Sequence, residues 1–230
     1  MPCFRTVYPT PSTLLWLLVL LITPLVAMAR PYDERLDFSL LLGSSTTHWV
    51  YNTTSRETQL RSLTASWSQY ISPSFRGSLN VSYLDTSQAT HPQAVGLNTA
   101  GDALGIDLQM QLLSSGRLKL ALRFAYDYAR TANYLEGQEI ENNWVTASLM
   151  MDGIYTLSKD TRLLAGVGAV TVDGEERLNG DINKVTPFHE ETSEAYYAGL
   201  RILTDPRGHI GLRWYGGHKT GLFLNFSRRY

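Results

Sequence analysis

Residues 117–130 read RLKLALRFAYDYAR. Leu118, Leu120, Leu122, Phe124, Tyr126 and Tyr128 take every second position, and Arg117, Lys119, Arg123 and Asp127 fall between them. A strict two-residue period is that of a β-strand with one apolar and one polar face.

The same period recurs on both sides of this stretch. In 209–216, Ile210, Leu212 and Trp214 alternate with Arg213 and Tyr215, and in 220–230 Leu222, Leu224, Phe226 and Tyr230 share one phase. Ten strands are expected, with eight or twelve as the alternatives, near 36–48, 57–71, 75–85, 103–113, 117–130, 143–157, 161–172, 193–204, 209–216 and 220–230. Two kinds of connection alternate between them. Ser72-Pro73-Ser74, Ser114-Ser115-Gly116, Ser158-Lys159-Asp160 and Asp205-Pro206-Arg207-Gly208 are tight turns, the last with the Asp, Pro and Gly placement of a type I turn. Longer polar stretches fill 86–102, 131–142 and 173–192, while the connections near 52–56 and 217–219 are short.

Charge placement decides the kind of sheet. Asp37, Arg76, Asp107, Lys119, Arg123, Asp127, Asp152, Arg201 and Arg213 occupy the central parts of the strands, all on the phase opposite the apolar face. A soluble sandwich buries the apolar phase. A membrane-spanning barrel turns it outward, because a midplane Lys or Arg facing lipid costs about 2–4 kcal/mol. Aromatic positions favour the barrel: Tyr83, Tyr126, Tyr128, Trp144, Tyr196, Trp214 and Tyr215 fall near outer strand ends, and Phe75, Tyr155 and Tyr230 near inner ends. Amphipathic rings collect at those two interfaces. The expected fold is all-β: an antiparallel up-and-down transmembrane β-barrel, with short turns on the periplasmic side and long connections outside. Mean hydropathy of −0.15 fits, since half of each strand faces a polar interior.

The N-terminus reads as an export signal. Arg5 precedes the 15-residue apolar run Leu14–Met28 (LLWLLVLLITPLVAM), which is shorter than a spanning helix, and Ala27-Met28-Ala29 supplies a small-x-small cleavage pattern. The expected organisation is a cleavable signal over 1–29 and a barrel over 30–230. Cys3, the single cysteine, lies inside the signal, which excludes disulfides and thiol catalysis in the exported chain. Without Arg5 the chain carries 19 basic against 21 acidic residues, which argues against a nucleic-acid partner.

The terminal strand Gly221-Leu222-Phe223-Leu224-Asn225-Phe226-Ser227-Arg228-Arg229-Tyr230, with the signal and the even strand count, resembles that of small bacterial outer-membrane β-barrels as a general class. The resemblance implies that Leu222, Leu224, Phe226 and Tyr230 act as an assembly signal for the barrel-assembly machinery. It also implies residence in the outer membrane against its lipid and lipopolysaccharide. The usual last residue is Phe; here it is Tyr.

Three constellations could carry chemistry. The nine inward charges are expected to pair into a network in a narrow lumen. His48, His91, His189 and His218 map to the outer half, with His209 at the inner rim; no His–Ser or His–Asp spacing marks a catalytic set, and solvated surface is the expectation. An acidic stretch holds Asp173, Glu175, Glu176, Asp181, Glu190, Glu191 and Glu194, without the Gly turn and distal Glu of an ion loop. No metal, cofactor or catalytic residue is expected. The leading functional reading is a non-enzymatic outer-membrane protein, structural or surface-interacting, with a charge-paired lumen. The alternatives are a narrow passive channel and a rim hydrolase acting on lipid A or peptides.

Overall fold

The structure, a computed structural model, describes residues 36–92, 96–135, 137–180 and 183–230. The signal sequence and its cleavage site lie outside the described residues. Eleven strands form one antiparallel sheet: β1 (Leu36–Tyr51), β2 (Thr54–Ser72), β3 (Phe75–Gln88), β4 (Leu97–Ser115), β5 (Leu118–Leu135), β6 (Gln138–Thr156), β7 (Thr161–Asn179), β8 (Lys184–Glu190), β9 (Glu194–Leu203), β10 (Gly208–Gly217) and β11 (Lys219–Arg229). Apart from β8, neighbours in sequence pair in order, β7 pairing with β9, and β11 closes on β1 with Asp37 opposite Arg229 and Thr47 opposite Lys219. The ring therefore has ten strands, and it has no free edge at this level.

Side-chain phase follows the alternation. On β5, Leu118, Phe124 and Tyr128 are exposed on the outer wall, whereas Ala121, Ala125, Ala129 and Thr131 are buried in the lumen. The outer wall carries a continuous apolar belt that includes Phe38, Leu40, Leu42, Leu63, Trp67, Leu79, Val81, Leu104, Phe124, Leu149, Val167, Leu200, Leu212, Leu222 and Phe226. So much exposed apolar surface is untenable in water and is what lipid contact requires. The belt ends above Leu42 on β1, Tyr83 on β3, Tyr128 on β5, Tyr196 on β9 and Trp214 on β10; Tyr155 and Tyr230 mark its other margin. Two aromatics expected in the outer girdle are instead inside. Trp144 is 6% exposed, and Tyr215 packs against the lumen cluster, because each sits on the charged phase of its strand.

The long polar connections are not loops. β3, β4, β5, β6 and β7 continue through most of 86–102, 131–142 and 173–179 as paired strands. Above the belt the outer face no longer needs apolar residues, so the alternation fades while the backbone ladder continues. Strands of 18–19 residues at about 3.3 Å per residue and a tilt near 40° give a wall roughly 45 Å high. An apolar band of about 25 Å leaves some 20 Å standing outside the membrane.

That outer wall is narrower than the part below it. β10 and β11 are short and joined by the tight Gly217-His218 turn. Above this hairpin β8 bridges the gap, pairing with β7 on one side (Asp173 opposite His189, Leu178 opposite Lys184) and with β1 on the other (Trp49 opposite Glu190, Tyr51 opposite Phe188). β8 and β9 both run antiparallel to β7 and act as one strand interrupted at 191–193. A ten-strand ring thus becomes an eight-strand ring at the outer end. Eight strands leave an interior that side chains fill.

Candidate functional site: the barrel lumen

The middle of the lumen holds an ion triad. β5 aims Arg123 inward; its Nε donates to Asp152 on β6 at 2.8 Å, and one terminal nitrogen donates to Asp107 on β4 at 3.4 Å. The Tyr197 hydroxyl on β9 donates to the other Asp152 oxygen at 2.9 Å. Space for these groups comes from absent side chains. A Cβ at Gly166 would collide with the Tyr197 ring and Asp152, and one at Gly105 with the Asp127 carboxylate. Nearer the inner mouth, Asp37 accepts from Arg229 at 3.0 Å and lies 3.3 Å from Arg76. Of the nine charges picked out in the sequence, five (Asp37, Arg76, Asp107, Arg123 and Asp152) stand in these two clusters. Asp127, Arg201 and Arg213 face the lumen without an ion pair among the described residues. Lys119 stands at the exposed inner end of β5.

The outer lumen is filled by groups of a different kind. Trp49 stacks on Phe188 with centroids 4.5 Å apart, Trp144 lies 5.2 Å from Trp49, and Tyr51 lies 5.0 Å from Phe188. Above this aromatic layer is a sealed polar one. Glu176 on β7 is 2% exposed, with His91 Nε2 at 3.1 Å and Arg56 at 3.4 Å. Arg56 in turn lies over the Tyr51 ring at 3.9 Å. Gln88 donates from Nε2 to the Tyr51 hydroxyl at 2.8 Å and to Thr58 at 3.0 Å. A hydroxyl ladder crosses three strands, Thr86 to Thr99 at 2.5 Å and Thr99 to Thr131 at 2.7 Å. Burial, aided by the Glu176 charge, raises the Tyr51 hydroxyl well above the usual phenol range, so it stays protonated as an acceptor for Gln88.

The histidines do not converge. His48 and His189 are exposed on the outer wall, His209 is at the inner end of β10, and His218 occupies the β10–β11 turn. Burial, with Lys219 beside it, pulls the His218 imidazole down to about 3, so it is neutral at physiological pH. His91 departs from the solvated-surface expectation: it is 1% exposed and bonded to Glu176. That pair has the spacing of a base and its orienting carboxylate, but it sits inside the plug rather than in an open cleft. The acidic stretch is likewise not a solvated loop. Asp173, Glu175 and Glu176 belong to β7 and Glu190 to β8, with Glu176 inside; Asp181 lies outside the described residues. Among the described residues no cluster of His, Cys, Asp and Glu is suited to hold a metal ion.

Sequence reading missed the plug residues Trp49, Tyr51, Thr58, Gln88, Thr99, Thr131 and Phe188. The available signal was phase: Trp49, Tyr51, Gln88, Thr99 and Thr131 continue the inward alternation past the expected ends of their strands, Thr58 keeps it inside the strand expected over 57–71, and Phe188 lies in a short alternation of its own within a stretch read as connection. A second feature lies on the outside of the same wall, a groove of about 440 Å³ lined by Gln59, Arg61, Asp85, Ser87 and Asn98. Arg61, which shares the outward phase of Leu63 and Trp67 on β2, stands on this outer face directly opposite Asp85.

A closed antiparallel barrel with an apolar outer belt is the architecture of membrane-spanning β-barrels, and this chain has it. Its fold is similar to solved outer-membrane barrels. The protease OmpT of Escherichia coli matches with a TM-score of 0.47 at 10% identity, over 88% of this chain and 96% of that one. The translocator domain of the autotransporter NalP of Neisseria meningitidis matches with 0.46 at 10% identity, over 95% and 96%. Ail, the attachment invasion locus protein of Yersinia pestis, matches with 0.40 at 13% identity, over 86% and 100%. No protein-family model and no curated protein sequence matches the chain.

Proposed function

We infer that this chain is a non-enzymatic outer-membrane protein that presents a rigid, polar β-wall at the cell surface on a barrel closed at its outer end. The observation that carries the reading is the narrowing from ten strands to eight, with Trp49, Trp144, Phe188 and the Arg56–Glu176–His91 cluster filling the narrow part. A passive channel needs a continuous water path, and this layer interrupts it. A rim hydrolase needs its base open to substrate, and His91 is enclosed. The outer wall supplies what a surface-interacting protein needs: about 20 Å of paired strand beyond the belt and the Arg61–Asp85 groove in the headgroup zone. There Arg61 is placed to meet phosphate groups of lipopolysaccharide.

Planar-bilayer recording tests the closed outer end. The refolded wild-type protein gives no stable conductance steps, whereas the Trp49→Ala, Phe188→Ala double variant, which empties the aromatic layer, gives steps. A steady open conductance from the wild type overturns the reading.

A further inference from the structure

The inner half of the lumen carries positive charge that its described residues do not balance. Arg162 on β7 and Arg201 on β9 are direct cross-strand partners on the inward face. Like charges in that relation repel. Arg213 on β10 is opposite Gly199 on the same face, and Arg201 is opposite Gly211. The charges that act most on Arg201 are Arg213, Arg162 and Arg76, all positive.

None of Arg162, Arg201 and Arg213 has a carboxylate partner among the described residues. The acids that could have served are committed elsewhere: Asp107 and Asp152 to Arg123, and Asp37 to Arg76 and Arg229. Asp127 stands across the ring beside Gly105. Among the described residues Arg213 reaches the Tyr215 hydroxyl, at 3.4 Å, and lies 5.4 Å from the Tyr197 ring centre. The Nε atoms of Arg201 and Arg213 are shielded from solvent and lack a hydrogen-bond partner. The remainder of each side chain, like that of Arg162, stays partly exposed to the lumen.

A lysine in this position could shed its proton. An arginine cannot, so the charge has to be met by something else. Three forked donors around one space match the tetrahedral oxygens of a phosphate-class anion, which accepts several charge-assisted bonds at once. Acyl chains are excluded by the enclosing wall, so the ligand enters as a free solute from the periplasmic mouth.

We propose that Arg162, Arg201 and Arg213 form a binding site for a small, multiply charged oxyanion of the phosphate class in the inner half of the lumen. The site does not depend on what the outer wall does. It depends only on the inward face of β7, β9 and β10.

Calorimetric titration of the full-length mature barrel, folded in an uncharged maltoside detergent at low salt, tests it with inorganic phosphate. Wild-type protein shows saturable binding that weakens as salt is raised. Arg201→Gln and Arg213→Gln each weaken it about tenfold or more, the size expected for one lost charge-assisted contact. Arg201→Lys, which keeps the charge but loses the fork, weakens it too. Arg228→Gln on the exposed outer face leaves it unchanged. Absence of saturable binding by the wild type overturns the proposal, as does wild-type affinity in folded Arg201→Gln. Heat-modifiable gel mobility reports that each variant is folded, so lost binding is not mistaken for a lost barrel. Failure of the channel recording above leaves this result standing, and the reverse holds as well.

Discussion

At the residue scale, Thr47 and Glu190 show how a single proton couples the seam of the barrel to pH. Thr47 has one hydroxyl hydrogen. Its oxygen lies 2.8 Å from the His218 carbonyl, which can only accept, and it also contacts a Glu190 carboxyl oxygen. Thr47 donates its one hydrogen to the Glu190 carboxyl or to the His218 carbonyl, so two acceptors compete for it, and the alternative to a carboxylate that needs the hydrogen is a protonated Glu190. Burial favours that form and pushes the Glu190 carboxyl up to about 7 from its ordinary value of 4.5. Thr47, Lys219 and the His48 backbone pull the other way, and Glu191 adds to the rise. Glu190 lies beyond the apolar belt, where water delivers the proton. Between about 4.5 and 7 the folded chain holds more protons at this site than the unfolded chain. Stability therefore falls as pH rises through that window and levels off above it. Urea titrations from pH 5 to pH 8 check this: the wild-type midpoint drops with pH, and Glu190→Gln flattens the drop and is the more stable form at pH 8. An equal pH slope in the variant would show that another group sets it.

At the element scale, the terminal strand carries two jobs on its two faces. Phe226 pairs with Leu40 and Leu224 with Leu42 on the outer wall, while Phe223 and Asn225 are buried inside. Tyr230 extends the outward phase of Leu222, Leu224 and Phe226 beyond the last paired residue, and its N–H donates to the Leu36 carbonyl at 2.9 Å. An aromatic ring there sits at the inner interface of the membrane. If the outward face of β11 is what the assembly machinery reads, Tyr230→Phe assembles at wild-type levels and Tyr230→Asp falls several-fold, measured as heat-modifiable barrel in outer-membrane fractions. Wild-type assembly of the Asp variant removes Tyr230 from the signal. β8 has no such reading in advance. Val185, Pro187 and His189 face outward and Thr186, Phe188 and Glu190 inward, a short alternation interrupted by proline, and its pairing with β1 is between residues about 140 positions apart.

At the scale of the whole molecule, the outward belt and inward charges make one statement about solvent. The outside of the barrel is apolar because lipid offers no hydrogen bonds, and the inside is polar because the groups that face it are shielded from lipid and bond to one another, as Arg123 does to Asp152 and Asp107. Leu212 on β10 lies in the belt, 45% exposed. Leu212→Arg is expected to lower the unfolding free energy in lipid vesicles by about 2–4 kcal/mol, with no comparable loss for a substitution on the polar wall such as Ser87→Arg. Equal costs at the two positions would place the belt in water rather than in lipid.

Much of this was written in the order of residues. The alternation of 117–130, the phase of the nine strand charges and the spacing of tight turns determined a ten-strand barrel with its apolar side outward, because lipid imposes a local rule that each strand obeys on its own. The inward direction of Arg123, Asp152, Arg201 and Arg213 was legible for the same reason. Which charges meet was not: that Asp152 pairs with Arg123 rather than with Arg213 depends on strand register, which is a property of the closed ring. The plug was hidden more deeply. Trp49, His91, Glu176 and Phe188 sit in polar stretches where no apolar outer face is needed, so the periodicity that marks a strand disappears. Only the tertiary structure, with β8 bridging β7 to β1 above a short hairpin, decided that these residues share one enclosed space and that three arginines below them have no counter-charge among the described residues.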